Sequence, residues 1–81
     1  MAEIRLYILS PEETLLDAAV DAVTLPGTAS PFEVLPGHAP IISSLEKGRI
    51  TWRAGVEEGS LEIASGFVEV IDNQVLAAVE Q

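Results

Sequence analysis

His38 is the only histidine in a chain of 81 residues that contains no cysteine. A catalytic centre or a metal site would therefore have to combine this one imidazole with hydroxyl or carboxylate side chains. No carboxylate stands four residues from His38, and no serine stands in a GxSxG turn. Glycine-rich phosphate loops are also absent. We therefore expect no catalytic, cofactor-binding or metal-binding residues in this chain.

Acidic residues dominate the charge, since thirteen of them stand against four basic ones and the net charge is −9. Paired carboxylates could serve as acid and base in glycoside hydrolysis. However, Glu57, Glu58, Glu62 and Glu69 fall in turns or in the polar phase of alternating segments, which is typical of a solvated face. So acidic a surface repels nucleic-acid phosphates and anionic lipid headgroups, and we expect neither nucleic-acid binding nor direct lipid insertion.

Eleven proline and glycine residues divide the chain into short segments, which favours an all-β sandwich over a helical fold. Glycine-rich turn residues at 55–59 and the pair Asp72-Asn73 predict two hairpins. The segments between turns predict strands at Ile4–Leu9, Ala18–Leu25, Phe32–Leu35, Ile41–Leu45, Gly48–Ala54, Leu61–Ala64, Phe67–Ile71 and Gln74–Val79. We expect one domain over residues 1–81.

Alternation of apolar and polar residues within these segments predicts which side chains face the core. The core candidates are Ile4, Leu6, Ile8, Val23, Leu25, Phe32, Val34, Ile50, Trp52, Leu61, Ile63, Phe67, Val70, Val75 and Val79. Apolar residues also occur in the opposite phase, at Leu9, Ile42 and Leu76. An exposed apolar patch of several hundred Å² would mark a docking surface for a partner.

Two prolines enclose the Gly-His-Ala sequence at 37–39. Pro36 restricts its own backbone, Gly37 permits a positive φ, and Pro40 favours an extended Ala39. This pattern predicts a stiff loop, which loses little entropy on binding. From the residues alone, a loop histidine that only closes a corner of the sandwich is the more common situation.

The run from Val34 to Gly48, VLPGHAPIISSLEKG, resembles the signature of the epsilon subunit of F-type ATP synthases, which is called delta in mitochondria. Other segments resemble that family in the same order along essentially the whole chain: Ser10-Pro11-Glu12, Val23–Gly27, Gly66–Val70 and Asn73–Val75. The resemblance implies a sandwich of ten strands in two mostly antiparallel sheets. It also implies a non-catalytic, monomeric rotor subunit in the central stalk, coupling proton-driven rotation to ATP synthesis.

The partners implied by the resemblance are the gamma subunit and the c-ring, and indirectly the alpha/beta hexamer. The location implied is the cytoplasmic face of a bacterial inner membrane. The positions that match ring-facing loops are Thr28, Ala29, Ser30, Pro31, Gly37, His38 and Ala39. Ser10 and Arg49 match positions toward gamma. The usual acidic contact of the first loop has no counterpart at Pro31.

Most members of the family continue into a pair of C-terminal helices that inhibits ATP hydrolysis and binds ATP in some members. Because the chain ends at Gln81, we expect neither helix-mediated inhibition nor ATP binding. Two other functions remain open at this point. One is a free-standing β-sandwich binding module, for example for carbohydrate, and the other is a small hydrolase that uses His38.

Overall fold

Nine β-strands form the part of the chain that the computed structural model describes, residues 3–81. The resemblance implied ten strands, so this number is corrected to nine within those residues. No helix there is long and apolar enough to cross a membrane. The strands are β1 (Ile4–Leu9), β2 (Thr14–Val20), β3 (Ala22–Leu25), β4 (Phe32–Val34), β5 (Ile41–Leu45), β6 (Gly48–Ala54), β7 (Glu57–Ile63), β8 (Ser65–Ile71) and β9 (Gln74–Glu80).

The strands pair into two sheets, which confirms the predicted sandwich. One sheet has five strands in the order β2-β1-β9-β8-β5, and the other has four in the order β4-β3-β6-β7. β1 and β9 are parallel, and the other pairs of neighbouring strands are antiparallel. The parallel pair brings the first and last strands together inside the five-stranded sheet.

Aliphatic side chains from both sheets fill the space between them. Ile4, Leu6 and Ile8 of β1 are completely buried, and so are Val23, Leu25 and Ile50 of the facing sheet. Each such side chain contributes roughly 1.5–3 kcal/mol on burial. Residues 3–81 bury no polar or charged side chain. The predicted core residues found buried are Ile4, Leu6, Ile8, Val23, Leu25, Val34, Ile50, Ile63, Val70, Val75 and Val79.

Other parts of the core differ from the prediction. Phe32, Trp52 and Leu61 are half-buried and pack against the edge of the core. The prediction for Phe67 is wrong, because this side chain is 66% exposed. Phe67 points outward like Glu69, whereas Val68 and Val70, which alternate with them along β8, are buried. The buried residues absent from the prediction are Val20, Ala22, Leu45, Val68 and Ala77.

The single strand predicted over Ala18–Leu25 is also wrong, because the chain passes from one sheet to the other at Asp21. The Asp21 N–H donates to the Arg53 carbonyl oxygen at 2.7 Å. Its carboxylate accepts the Gly55 N–H at 2.7 Å. These hydrogen bonds to the hairpin of β6 and β7 form a corner without glycine or proline. A single aspartate is a weaker turn signal than glycine or proline, and the residues on both sides of it favour extended structure.

The turn between β6 and β7 is shorter than the predicted 55–59 segment. Gly55 has a positive φ of 66° and turns the chain with Val56, and β7 begins at Glu57. Gly59 therefore lies within a strand. A Cβ atom on Gly59 would stand 2.5 Å from the Trp52 indole. Glycine here makes room for the aromatic ring of the neighbouring strand.

The segment after β3 joins the two sheets at one side of the sandwich. The Glu46 N–H donates to the Pro26 carbonyl at 2.9 Å, and the Thr28 N–H donates to the Ser44 carbonyl at 3.1 Å. Gly27 forms an isolated bridge with Leu45 of β5. Backbone hydrogen bonds thus link the sheets directly, in addition to side-chain packing.

Gly66→Ala should destabilise the sandwich by about 1–3 kcal/mol, because a Cβ there has no space. It would stand 2.6 Å from the Ala78 carbonyl oxygen, which is backbone and cannot rotate away. Urea denaturation measures this change. The control is Ser65→Ala at the neighbouring exposed position, which should stay within about 0.5 kcal/mol of the parent. Equal stability of the two variants would contradict the close approach of β8 and β9.

Candidate functional site

Apolar side chains cover the outer face of the five-stranded sheet, on the side away from the core. Ile42 is 78% exposed, Phe67 66% and Leu76 40%. Leu9 contributes from β1 and is half-buried. The name "outer face" is used below for this surface. A cluster of exposed apolar residues on one sheet marks an interaction site.

Strand register brings these residues together in two rows across the sheet. In one row Ile42 lies beside Glu69, Glu69 beside Leu76, and Leu76 beside Tyr7. In the other, Phe67 lies between Ser44 and Ala78, and Ala78 lies beside Leu9. The three opposite-phase residues noted in the sequence therefore share one surface. Phe67 joins them, and its common phase with Glu69 was the signal that could have assigned it correctly.

A groove of about 650 Å³ runs beside Phe67 at the end of the sheet where β1 and β9 finish. Ser10 and Pro11 form part of its rim. The Ser10 hydroxyl accepts the Glu13 N–H at 3.2 Å, and the Ser10 N–H donates to the Glu13 carbonyl at 2.8 Å. Ser10 thus shapes the turn between β1 and β2 next to the outer face.

An ion pair lies on the β1–β2 part of the outer face. The Arg5 guanidinium lies 2.7 Å from an Asp17 carboxylate oxygen and 5.9 Å from the centre of the Tyr7 ring. Hydrogen bonding to Asp17, and then its charge, raise the pKa of Arg5 above its ordinary value. Since both side chains are about half exposed, this pair orients Arg5 more than it stabilises the fold.

Arg49 lies on the other sheet, so the structure does not bring it together with Ser10. Its guanidinium lies 2.9 Å from the Glu62 carboxylate across β6 and β7. The hydrogen bond from Arg49, and then its charge, lower the pKa of Glu62. Both side chains are exposed, and the pair lies on the solvated surface of the four-stranded sheet.

The loop over residues 28–31 connects β3 to β4 and is attached at its first residue. The hydroxyl groups of Thr28 and Ser44 share a hydrogen bond of 2.6 Å. Ala29, Ser30 and Pro31 follow with exposed side chains. This loop therefore lies at the end of β5 where Ser44 and Leu45 stand.

The loop with His38 lies at the opposite end of β5. Gly37 has a φ of 86°, which confirms the positive φ predicted for this glycine. Its N–H donates to Asn73 Oδ1 at 2.7 Å. His38 is half-buried, with Nδ1 2.7 Å from the Ala39 carbonyl oxygen. The His38 N–H donates to the Leu35 carbonyl at 3.1 Å. Backbone contacts thus hold the imidazole in place.

Asn73 is a site residue that sequence reasoning assigned only to a turn. Its φ of 62° turns the chain between β8 and β9 together with Asp72. Its side chain holds Gly37, and its carbonyl accepts the Arg5 N–H at 2.9 Å. One residue thus joins the hairpin, the His38 loop and the start of β1. The contact spans 36 residues, so the sequence held no signal for it.

An apolar face and two loops are the docking features of the described residues. No group of three potential metal ligands is found within 3–81, and no titratable side chain in that range is buried. The arrangement can bind another surface through apolar contact and the two loops.

Known proteins similar to this chain agree with one another. Residues 3–81 match the family described as ATP synthase, Delta/Epsilon chain, beta-sandwich domain. The chain is 35% identical over 78 residues to ATP synthase epsilon chain 2 of Syntrophotalea carbinolica, covering 96% of this chain and 56% of that protein. It is 34% identical over 80 residues to an ATP synthase epsilon chain of Dehalococcoides mccartyi, covering 99% and 57% respectively.

Solved structures give the same result. A chain in the Euglena gracilis mitochondrial ATP synthase, solved by cryo-EM as OSCP/F1/c-ring, superposes with a TM-score of 0.93 at 25% identity, over 100% of this chain and 52% of that one. A chain of the Tetrahymena thermophila central stalk/c-ring structure shares the fold, with a TM-score of 0.81 at 15% identity, over 96% of this chain and 63% of that one. The sequence spans somewhat more than half the length of the curated relatives it matches.

Substitutions at Asn73 should separate its two roles. Asn73→Gly keeps the positive φ but loses the acceptor for Gly37, which should cost about 1 kcal/mol of stability. Asn73→Ala should cost about 1–2 kcal/mol more, because alanine disfavours this backbone region. Amide exchange at Gly37 should accelerate in both variants. Asn73→Asp keeps an acceptor oxygen and serves as the control, and unchanged Gly37 exchange in Asn73→Gly would contradict the assignment.

Proposed function

Since the chain belongs to the β-sandwich family of ATP synthase delta and epsilon chains, we propose that it is a non-catalytic rotor subunit of the central stalk. In this role it links the gamma subunit to the c-ring and helps to couple proton-driven rotation to ATP synthesis on the alpha/beta hexamer. It works as one copy in the complex, peripherally, at the cytoplasmic face of a bacterial membrane. It contacts lipid only through its protein partners.

The observation that carries this proposal is the exposed apolar outer face. Ile42, Phe67 and Leu76 expose large side chains although the sheet below them is already packed on its other side. A partner surface that covers them gains the hydrophobic free energy that the isolated chain leaves unused. We assign this surface to gamma, with Ser10 at its rim. Arg49 faces away, so its predicted role toward gamma requires a second contact on the four-stranded sheet.

Rigidity suits the proposed mechanical role. A domain that transmits torque must resist shear between its layers. Within residues 3–81 no polar side chain is buried, and backbone hydrogen bonds join Thr28 to Ser44 of β5 and Pro26 to Glu46 directly after it. Close-packed interiors have low compressibility. Both features favour motion of the two sheets as one body, as the proposed role requires.

We propose the ring contact at the two loops, through Thr28, Ala29, Ser30, Pro31, Gly37, His38 and Ala39. The first loop is attached to the C-terminal end of β5 by the hydrogen bond between Thr28 and Ser44. The second loop precedes the N-terminal end of β5 and is held by the hydrogen bond from Gly37 to Asn73. A five-residue strand places its ends about 13 Å apart. The ring surface would therefore have to lie along the side formed by edge strands β4 and β5. Residues 3–81 include no helix, and we propose that this domain serves docking and coupling without inhibiting hydrolysis through a helix.

A carbohydrate-binding module has less support. Such a module would align exposed aromatic rings, whereas Phe67 is exposed and Tyr7, Phe32 and Trp52 are half-buried on different strands. The rings do not form one platform. The apolar outer face is instead mainly aliphatic, which favours a protein partner.

Ile42→Asp and Phe67→Asp should each weaken binding to the gamma subunit by at least about 100-fold, because docking would bury a carboxylate without a partner. Folding should be unaffected, since both side chains are exposed. Calorimetry with purified gamma measures the affinity. The control is Val56→Asp in the turn after β6, where the side chain is 101% exposed. Equal gamma affinity of all three variants would exclude the outer face as the docking surface.

His38→Ala should lower affinity for the purified c-ring by less than about tenfold and leave gamma binding unchanged. The imidazole is half-buried and its loop is held mainly by backbone hydrogen bonds, so removal of the ring takes away one contact while the loop persists. Sedimentation with reconstituted c-ring gives the affinity. Val56→Asp again serves as the control, and a loss of gamma affinity in His38→Ala would contradict the separation of the two surfaces.

A further inference from the structure

Glu69 is a carboxylate in the middle of an otherwise apolar row. In register it lies between Ile42 and Leu76 on the outer face, and all three side chains are exposed. Within residues 3–81 Glu69 forms no ion pair, because the pairs there are Arg5 with Asp17 and Arg49 with Glu62. Any partner that covers Ile42 and Leu76 must also cover this charge.

Glu69 is one of five residues that line a groove of about 360 Å³. Tyr7, Leu76 and Ile71 supply its apolar lining, and Gln74, which pairs with Ile71 in register, adds an amide. The lining is thus mainly apolar, with one carboxylate and one amide as its polar side chains. Lysine and arginine have the matching chemistry, since their aliphatic stems pack on apolar surface while the cationic head binds carboxylate.

We propose that this groove receives one lysine or arginine side chain of the gamma subunit, with Glu69 as its counter-ion. The inference rests on the proposed function, because it specifies the partner's chemistry on the same face. A carboxylate that is buried on docking without a cation would strongly weaken binding, because its lost hydration is not replaced. The groove therefore selects a partner whose apolar surface carries a basic side chain at this position.

The other charged groups around the groove do not pair with Glu69, so its counter-ion has to come from the partner. Arg5, the basic residue on this sheet, lies next to the groove, because it pairs with Gln74 in register and its guanidinium is 5.9 Å from the centre of the Tyr7 ring, but it is already paired with Asp17. Asp72 lies in the turn that follows Ile71 and adds negative charge at the same end of the sheet. A net charge of −9 further favours the approach of a basic partner surface.

Glu69→Gln tests the proposal, because it removes the charge and keeps the shape. With purified gamma subunit, we expect its dissociation constant to rise at least about tenfold, chiefly through faster dissociation. The salt dependence of binding should also decrease. Glu58→Gln on the four-stranded sheet makes the same change in net charge and should alter the affinity less than twofold. Both glutamates are exposed, and thermal melting should confirm that both variants fold.

A double-mutant cycle then identifies the partner residue. Each exposed lysine and arginine of gamma is replaced by methionine and combined with Glu69→Gln. At one position the loss of affinity in the double variant should be smaller than the product of the two single losses by about tenfold or more. This difference corresponds to a coupling free energy of about 1.4 kcal/mol. Absence of coupling above about twofold at every position would overturn the proposal.

The outcomes also separate this inference from the function on which it rests. If Ile42→Asp and Phe67→Asp abolish gamma binding while Glu69→Gln behaves like Glu58→Gln, the outer face docks gamma but the groove receives no cation. If none of these variants affects gamma binding, the docking function of the outer face fails as well.

Discussion

The packing of aliphatic side chains between two sheets, with no polar side chain buried among them within residues 3–81, is the constraint on which the rest of this structure depends. Ile4, Leu6 and Ile8 alternate along β1 and meet Val23, Leu25 and Ile50 from the other sheet. Such a core has no hydrogen bonds that fix its geometry. Backbone links at the sides, such as those of Asp21 and of Pro26, therefore set how the two sheets meet.

The same alternation exposes the outer face. In a strand with period two, residues that do not point to the core must point to solvent or to a partner. β8 and β9 place apolar side chains in both phases, so Phe67 and Leu76 stand outside while Val68 and Val75 are buried. An isolated domain gains no hydrophobic free energy from the apolar side chains that point outward. Under the proposed rotor function, this surface is the contact with a neighbouring subunit, and the core beneath it is the source of stiffness.

Much of the architecture follows from local sequence. Alternating residues in β1, β6 and β9 predicted those strands and most of their buried members, with Ala77 as the exception, and Gly37 predicted the positive φ of the His38 loop. The Asp72-Asn73 pair predicted its hairpin. The core prediction for Phe67 was wrong, because this residue shares the outward phase of Glu69 in β8.

Local pattern thus sufficed for the all-β class and for most of the core, because the two-residue period of a strand is a property of neighbouring residues. Contacts between distant segments were decided by the folded chain. They include the corner at Asp21, the attachment of Gly37 to Asn73, and the position of Thr28 at the far end of β5 from His38. Such contacts depend on which strands pair and in which register. That choice is made by packing of the whole molecule, and no short stretch of sequence carries it.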